Sequence, residues 1–317
     1  MKILAVDDDA FILELIPMIA AKIGFPDVST ALSGELALKI LENSDVVFDC
    51  LLFDIQMPGM DGIELCRQVR AFPAYRKTPI IMLTAMTERD YIEQAFKAGA
   101  TDYATKPFDI TELGARLRIA QELVKTRQEA AGDNEGKDHK FDLSEEVQIE
   151  GIKDIVAYTA LGNYLAQLSR AGMVSSQVLA VKIDRIEAIY TRASSEEFLY
   201  ALIEVATVIG EIFKTHDGYL MAYAGNGVFV VISNAAGLPP STDMEKEMQS
   251  LLDEKNSEYD NGDPLDIEVS VGNPIRPCSS ETHLIRKTFD RAIARAENRV
   301  IQKQDDPRPL GIRMNAG

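Results

Sequence analysis

Short apolar runs alternate with amphipathic stretches through the first 110 residues, and this alternation constrains the fold more than any other feature. The apolar runs predict strands at residues 3–6, 50–53, 79–83 and 101–104, and helical spacing predicts helices at 11–23, 62–69, 88–97 and 110–126. Strands that alternate with helices form parallel βα units, whose sheet is covered on both faces. The pattern therefore predicts a doubly wound α/β domain that binds ligands at the carboxyl ends of its strands.

Polar and charged side chains follow these strands, at the edge where such sheets bind ligands. They are Asp7, Asp8 and Asp9 after the first strand, Asp54 after the strand at 50–53, and Thr84 and Lys106 after the next two. Clustered carboxylates repel each other, and a hard divalent cation such as Mg²⁺ relieves that repulsion. Lys106 and Thr84 could receive the charge of a phosphoryl group on Asp54.

Each of these residues also has an ordinary structural interpretation. An aspartate at a strand end is commonly a turn residue or a helix cap, and Asp9 could cap the first helix. Lys106 alone could be a solvated surface lysine. The combination of all these residue types at one predicted edge is more specific than any of its members.

The arrangement resembles the receiver domain of two-component response regulators over residues 1–125. The matching features are the strand ending in Asp7 and Asp8, the DIQMPGMDG run from Asp54 to Gly62, Thr84-Ala85, and Lys106-Pro107. Thr84 lies 30 residues after Asp54, and Lys106 lies 22 residues after Thr84, which are spacings that fit the family. The resemblance implies a flavodoxin-like (βα)5 fold.

The resemblance also implies a role for each matching residue. Asp54 is the phosphoacceptor, which attacks the phosphohistidine of a sensor histidine kinase or a phosphotransfer protein. Mg²⁺ is held by Asp8, Asp54 and the backbone carbonyl of Gln56, with Asp7 acting mainly through water. Thr84 and Lys106 contact the phosphoryl oxygens.

Three further expectations come from the same family. The Lys106-Pro107 peptide is cis. Tyr103 matches the switch aromatic that moves inward when Thr84 engages the phosphoryl group, and its ordinary interpretation is a half-buried strand aromatic. Receivers pair through the face that contains Tyr103 and the last helix, so we expect a homodimer.

The second half of the chain has a different order of elements. Residues 126–174 are assigned to a linker and a signalling helix. The linker contains the polar stretch 129–142, although a helix could run through it, and the helical spacing of apolar residues at 147–168 predicts the signalling helix. That helix would carry a signal or cover the next domain as a lid. Strands are predicted at 178–183, 219–222, 228–232 and 266–271, and helices at 194–214, 244–252 and 283–301, the first opened by a capping box at Ser194 and Glu197. This β-α-β-β-α-β-α order predicts an antiparallel α+β sheet of the ferredoxin-like kind.

Residues 175–305 resemble nucleotidyl cyclase domains, both the diguanylate cyclases with a Gly-Gly-Asp-Glu-Phe hairpin (GGDEF) and the class III cyclases. Residues 306–317 are assigned to a tail. The segments that match are 178–189, 216–233, 267–272 and 289–300. Cyclases hold two metal ions with carboxylates from the first strand and the hairpin, and the ions activate a hydroxyl and stabilise the triphosphate. Here Lys182 and Asn226 stand at those carboxylate positions, 44 residues apart.

The metal-binding acids of a cyclase are therefore largely replaced. Gly227 stands where diguanylate cyclases have Glu, and Asp184 remains either as a remnant of the site or as a surface turn residue. Gly225 and Gly227 suit a hairpin that needs positive φ. Because an ammonium group opposes Mg²⁺ and a neutral amide is a weak ligand, the resemblance implies a degenerate, catalytically inactive output domain.

Composition excludes several other classes of protein. The 317-residue chain has 50 acidic and 33 basic side chains, a net charge of −17, and residues 171–317 carry 15 basic against 22 acidic side chains, so a DNA-binding output is not expected. The widely spaced cysteines and histidines indicate neither a disulfide framework nor a metal site: Cys50, Cys66, Cys278, His139, His216 and His283. No apolar run approaches the roughly 18–20 residues of a membrane span, and the amino terminus does not resemble a signal peptide. We expect a cytoplasmic protein.

These observations predict a response regulator of a phosphorelay that signals through an inactive cyclase-like output, by binding a downstream protein or a nucleotide. One alternative is an active diguanylate, adenylate or guanylate cyclase with an unusual metal site. A second alternative is a scaffold whose output serves only for phosphorylation-dependent dimerisation.

Overall fold

The computed structural model divides the chain into two compact units, residues 1–139 and 140–317. It describes residues 1–44, 46–85, 89–107, 110–132, 142–145, 147, 149, 152, 154–168, 170–214, 218–235, 237–277 and 282–305. Most of the predicted linker, the tail, and Cys278, His139 and His216 lie outside the described residues. The helices in the described part of the chain are all too short or too polar to cross a membrane.

The first unit alternates strands and helices, as the sequence predicts. Its elements are β1 (Ile3–Val6), α1 (Ala10–Lys22), β2 (Val28–Ala31), α2 (Gly34–Asn43), β3 (Cys50–Asp54), α3 (Gly62–Ala71), β4 (Ile80–Thr84), α4 (Arg89–Lys97), β5 (Asp102–Thr105) and α5 (Ile110–Gly132). The strands form a parallel sheet in the order β2-β1-β3-β4-β5. This is the predicted flavodoxin-like receiver fold.

Burial explains which strands were evident from sequence. Every residue of β1, β3 and β4 is buried, as a central parallel strand requires, and their continuous apolar runs reflect it. Only Ala31 of β2 is buried, because β2 is an edge strand. The pattern of apolar runs therefore did not mark β2 or the helix that follows it.

The second unit contains a four-stranded antiparallel sheet. Its elements are α6 (Tyr158–Gln167), α7 (Arg170–Ser175), β6 (Gln177–Ile183), α8 (Ile186–Arg192), α9 (Ser195–Phe213), β7 (Tyr219–Tyr223), β8 (Val228–Ser233), α10 (Ser241–Lys255), β9 (Val269–Val271) and α11 (Thr282–Asp305). The strand order is β7-β8-β6-β9. Apolar side chains of the sheet and of α9 and α10 form its core, including Phe198, Phe213 and Phe229. The capping box predicted at Ser194 and Glu197 is present at the start of α9.

The helix predicted over 147–168 is wrong in its first half. Helix α6 begins at Tyr158, and the described residues before it are not helical. Ile155 instead forms a parallel bridge with Met221 of edge strand β7. The apolar spacing that suggested a helix is satisfied by docking on the core, where Val147 and Ile152 pack and Ile149 is buried. Tertiary contact has overridden local periodicity here.

Candidate functional site

Three aspartates meet at the carboxyl edge of the parallel sheet. Val6 of β1 pairs with Phe53 of β3, so the residues that follow each of them emerge side by side. Oxygen atoms of Asp7, Asp8 and Asp54 all lie within 4.8 Å of one another. Asp7 and Asp54 are buried, whereas Asp8 is exposed. Strand order alone thus produces the predicted acidic cluster, while Asp9 caps α1 by accepting a hydrogen bond from the Phe11 amide.

Lys106 is part of the cluster and not a solvated surface lysine. Its Nζ donates to Asp7 Oδ2 at 2.6 Å and to Asp54 Oδ1 at 2.6 Å. The Lys106-Pro107 peptide that follows β5 is cis, as predicted. One ammonium group therefore faces three carboxylates.

The titration of the cluster reflects this imbalance. Burial raises the pKa of Asp54, and the nearby charges of Asp7 and Asp8 raise it further, so that the opposing effect of Lys106 is outweighed. Burial lowers the pKa of Lys106, but its hydrogen bonds to Asp54 and Asp7 more than offset this and leave it raised. A buried oxygen cluster with excess negative charge fits a hard divalent cation such as Mg²⁺.

Two further predicted receiver residues, Thr84 and Tyr103, lie on strands β4 and β5 of the same sheet. Thr84 ends β4 and is buried, and Tyr103 of β5 is 6% exposed, more enclosed than a half-buried strand aromatic. Its ring meets Phe96 edge-on, with centroids 6.3 Å apart. A depression of about 500 Å³ lies beside the carboxylates, lined by residues that include Asp8 and Gln56. The site is therefore open to solvent on that side.

Gly62 holds the loop after Asp54 in place, a role that the sequence motif did not reveal. Its amide donates to the Ile55 carbonyl at 3.0 Å. A Cβ atom at Gly62 would lie 2.0 Å from the backbone oxygen of Asp54, far inside contact distance. Asp61 then caps α3 by accepting from the Glu64 amide at 2.7 Å. Only glycine allows α3 to start this close to the strand that carries Asp54.

In the second unit, Lys182 and Asn226, the residues predicted to stand at cyclase carboxylate positions, contact each other directly. Lys182 Nζ donates to the backbone oxygen of Asn226 at the tip of the β7–β8 hairpin. The tip has positive φ at Gly225 (83°), Asn226 (51°) and Gly227 (71°), which confirms the predicted need for glycine there. An ammonium group thus lies at this tip.

Asp184 is buried and is not a surface turn residue. Its Oδ2 accepts from Ser270 Oγ at 3.1 Å and from Lys303 Nζ at 2.8 Å. Its Oδ1 has no hydrogen-bond partner among the described residues. Asp184, which the sequence predicts as a remnant of a cyclase-like site, is therefore paired with a lysine of this chain 119 residues away in sequence.

A second ion pair lies one turn earlier on α11. Arg299 donates through Nε and Nη2 to the carboxylate of Glu245 on α10, with the shortest distance 2.7 Å. The Val271 amide also donates to Glu245 at 3.0 Å, and Lys303 donates to the Val269 carbonyl at 2.9 Å. Strand β9 is thereby clamped by two charged pairs. Sequence reasoning missed both pairs, because charges on an amphipathic helix ordinarily indicate a solvated face.

Comparison with known proteins covers the first unit. Residues 3–118 match the family described as response regulator receiver domain. The chemotaxis protein CheY of Pseudomonas aeruginosa is 41% identical over 124 residues, which are 39% of this chain and 98% of that protein. The transcriptional regulatory protein ResD of Bacillus subtilis is 42% identical over 117 residues, 37% of this chain; this chain covers 46% of ResD, less than half of its length. Among solved structures, CheY4 of Vibrio cholerae matches with a TM-score of 0.36 at 34% identity, over 38% of this chain and 97% of that one.

Proposed function

The chain belongs to the response regulator receiver family through residues 3–118, and from that premise we propose that Asp54 accepts a phosphoryl group from a sensor histidine kinase or a phosphotransfer protein. The observation that carries this proposal is the cluster in which Lys106 Nζ lies 2.6 Å from both Asp54 and Asp7. Such a set of groups suits phosphoryl transfer, which needs mainly positioning and charge stabilisation.

The proposed chemistry follows from the groups around Asp54. One carboxylate oxygen of Asp54 forms the new O–P bond while the P–N bond of a phosphohistidine breaks and the imidazole leaves. Lys106 and the Thr84 hydroxyl stabilise the phosphoryl oxygens. Asp8, Asp54 and the Gln56 carbonyl would hold Mg²⁺, with Asp7 acting through water, and the cation would supply the positive charge that Lys106 alone does not.

For the second unit we propose a ferredoxin-like, cyclase-derived output that has lost catalysis and signals by binding a downstream protein or a nucleotide. The β-α-β-β-α-β order of β6 to β9 and the antiparallel strand order support the relationship. The lysines argue against catalysis: the Lys182 ammonium group contacts the hairpin tip, and Lys303 is paired with Asp184. Two ammonium groups at the predicted metal site oppose divalent cations.

Two experiments test these proposals. Acetyl phosphate or a cognate kinase should label the wild-type chain with Mg²⁺, and Asp54→Asn should abolish the label; full labelling of that variant would move the acceptor elsewhere. For the output, the full chain with Mg²⁺ or Mn²⁺ and beryllofluoride should form no cyclic product from GTP or ATP. Turnover at ordinary cyclase rates that is lost in Asp184→Ala would establish the active-cyclase alternative.

Partners are tested with the same preparations. Homodimerisation should appear as a mass increase on addition of beryllofluoride. An oligomer that ignores both beryllofluoride and nucleotide would favour a scaffold. Because ResD is described as a transcriptional regulatory protein, the predicted absence of DNA binding is tested by titrating duplex DNA into the phosphorylated chain; tight binding would refute it.

A further inference from the structure

A segment at the start of the second unit lies across the hairpin tip and along the edge of the sheet. We call the described residues between 142 and 156 the strap. At its first end, the backbone N–H of Asn226 at the hairpin tip donates to the Leu143 carbonyl at 2.6 Å. At its last end, the Met221 amide donates to the Asp154 carbonyl at 3.0 Å, and the Val156 amide donates to the Met221 carbonyl at 2.8 Å. The strap thus uses backbone groups of both the tip and strand β7.

The contact with the hairpin tip is close. A Cβ atom at Gly225 would lie 2.4 Å from the Ser144 carbonyl oxygen, so residue 225 must be glycine while the strap is in place. The close contact with Ser144 is separate from the positive φ of Gly225 (83°). Gly262 has nearly the same φ (80°), and nothing lies within 4 Å of its Cβ position. The strap therefore imposes its own requirement on the tip.

The two ends of the strap are held unequally. Leu143 at the first end and Ile155 at the last end are both partly buried and packed on the core. The last end also has two backbone hydrogen bonds and a hydrogen bond from Tyr219 Oη to Asp154 Oδ2 at 2.8 Å. At the first end, the described residues show one backbone hydrogen bond to the tip, and residues 142, 144 and 145 are exposed. Opening free energies are lowest where few, exposed hydrogen bonds hold a segment, so the first end is the part that opens most readily.

We propose that the strap is an autoinhibitory element: residues 142–145 cover the hairpin tip while Asp54 is unphosphorylated, and phosphorylation releases them. This inference rests on the proposed phosphoryl transfer to Asp54. Along the chain, the first end of the strap is the first described part of the second unit after α5. Release frees the backbone N–H of Asn226, which lies beside the Lys182 ammonium group. The hairpin tip then offers a downstream molecule an additional hydrogen-bond donor.

The test compares two glycine substitutions in the full chain. Gly225→Ala combines an unfavourable φ with a collision against Ser144, whereas Gly262→Ala has the unfavourable φ alone. Hydrogen exchange measured on peptides covering residues 142–149 and 224–228 should be about tenfold faster in G225A than in G262A without any activator. In the wild-type chain, beryllofluoride with Mg²⁺ should accelerate the same peptides, and Asp54→Asn should abolish that response.

Each outcome decides the inference. Equal exchange in G225A and G262A would show that the strap does not hold the tip. If beryllofluoride slows exchange around Asp54 but leaves the strap unchanged, phosphorylation does not control the strap; either result overturns the inference. If beryllofluoride leaves hydrogen exchange of the peptides around Asp54 unchanged, the proposed function fails, and the release step fails with it. The comparison of G225A with G262A still decides whether the strap caps the tip. If G225A does not fold, the wild-type response alone decides, since acceleration supports release and its absence refutes it.

Discussion

Replacing Lys303 by methionine removes the one cation that the described residues place on the buried Asp184 carboxylate. The Asp184 side chain is 6% exposed and that of Lys303 is 18% exposed, so the pair is largely shielded from water. Breaking a buried pair from one side leaves an uncompensated charge and costs about 3–5 kcal/mol. The lower end applies here, because Asp184 keeps its hydrogen bond from Ser270. We therefore expect Lys303→Met to lower the free energy of unfolding of the second unit by about 3 kcal/mol.

The assay is urea unfolding of the full chain, followed by hydrogen exchange of strand β9 to assign the transition to the second unit. Lys287→Met on the same helix is the matched control, because Lys287 is exposed, and it should change stability by less than about 0.5 kcal/mol. Combining Lys303→Met with Asp184→Asn should recover most of the loss, since both charges are then gone.

Two results would refute this reasoning. If Lys303→Met destabilised the protein no more than Lys287→Met, the ion pair would not be holding β9. If the double variant were as unstable as the sum of the two single variants, Lys303 and Asp184 would act independently, and the claim that Lys303 neutralises Asp184 would be wrong.

Three further perturbations have defined outcomes. Since burial raises the pKa of Asp54, ionisation of this carboxyl group opposes folding, and Asp54→Asn should raise the free energy of unfolding at pH 7 without Mg²⁺. In urea melts at a series of pH values, this gain should vanish below about pH 3.8, the ordinary pKa of the group. A gain that stayed constant with pH would refute the prediction. Burial alone would raise the pKa of Glu245, but the hydrogen bonds from Arg299 and the Val271 amide lower it, so its stabilisation is present above the ordinary value of 4.5 and lost as the pH falls through the lowered one. Glu245→Gln should accordingly cost about 1–3 kcal/mol at pH 7 in thermal melts, and the difference from wild type should shrink in acid. Gly62→Ala should destabilise the receiver by about 2 kcal/mol or more in urea unfolding and slow labelling of Asp54, because the new methyl group collides with the Asp54 carbonyl; a wild-type labelling rate would contradict this.

The receiver was readable from sequence because its signals are local. A central parallel strand is buried on both faces, so β1, β3 and β4 appear as continuous apolar runs, and the residue after each run falls at the same sheet edge. The positions of Asp7, Asp54 and Thr84 follow from that rule. Edge strand β2 escaped because three of its four residues are not buried.

The strap and the charged clamp were not readable in the same way. The spacing of the apolar residues at 147, 149, 152 and 155 is compatible both with a helix and with an extended segment packed on the core. The open edge of β7, which pairs with Ile155, selects the extended segment. The pairing of Asp184 with Lys303 spans 119 residues and has no local signal at all.

The sequence by itself determined the receiver fold and the acidic edge with its lysine. Those features depend on residue order along single strands, which hydrophobic periodicity records. The tertiary structure alone decided that Lys106 binds two aspartates, that Lys303 neutralises Asp184, and that the strap covers the hairpin tip. The physical reason is that charge pairing and edge docking depend on distances between residues far apart in the chain, and those distances exist only after the sheets have formed.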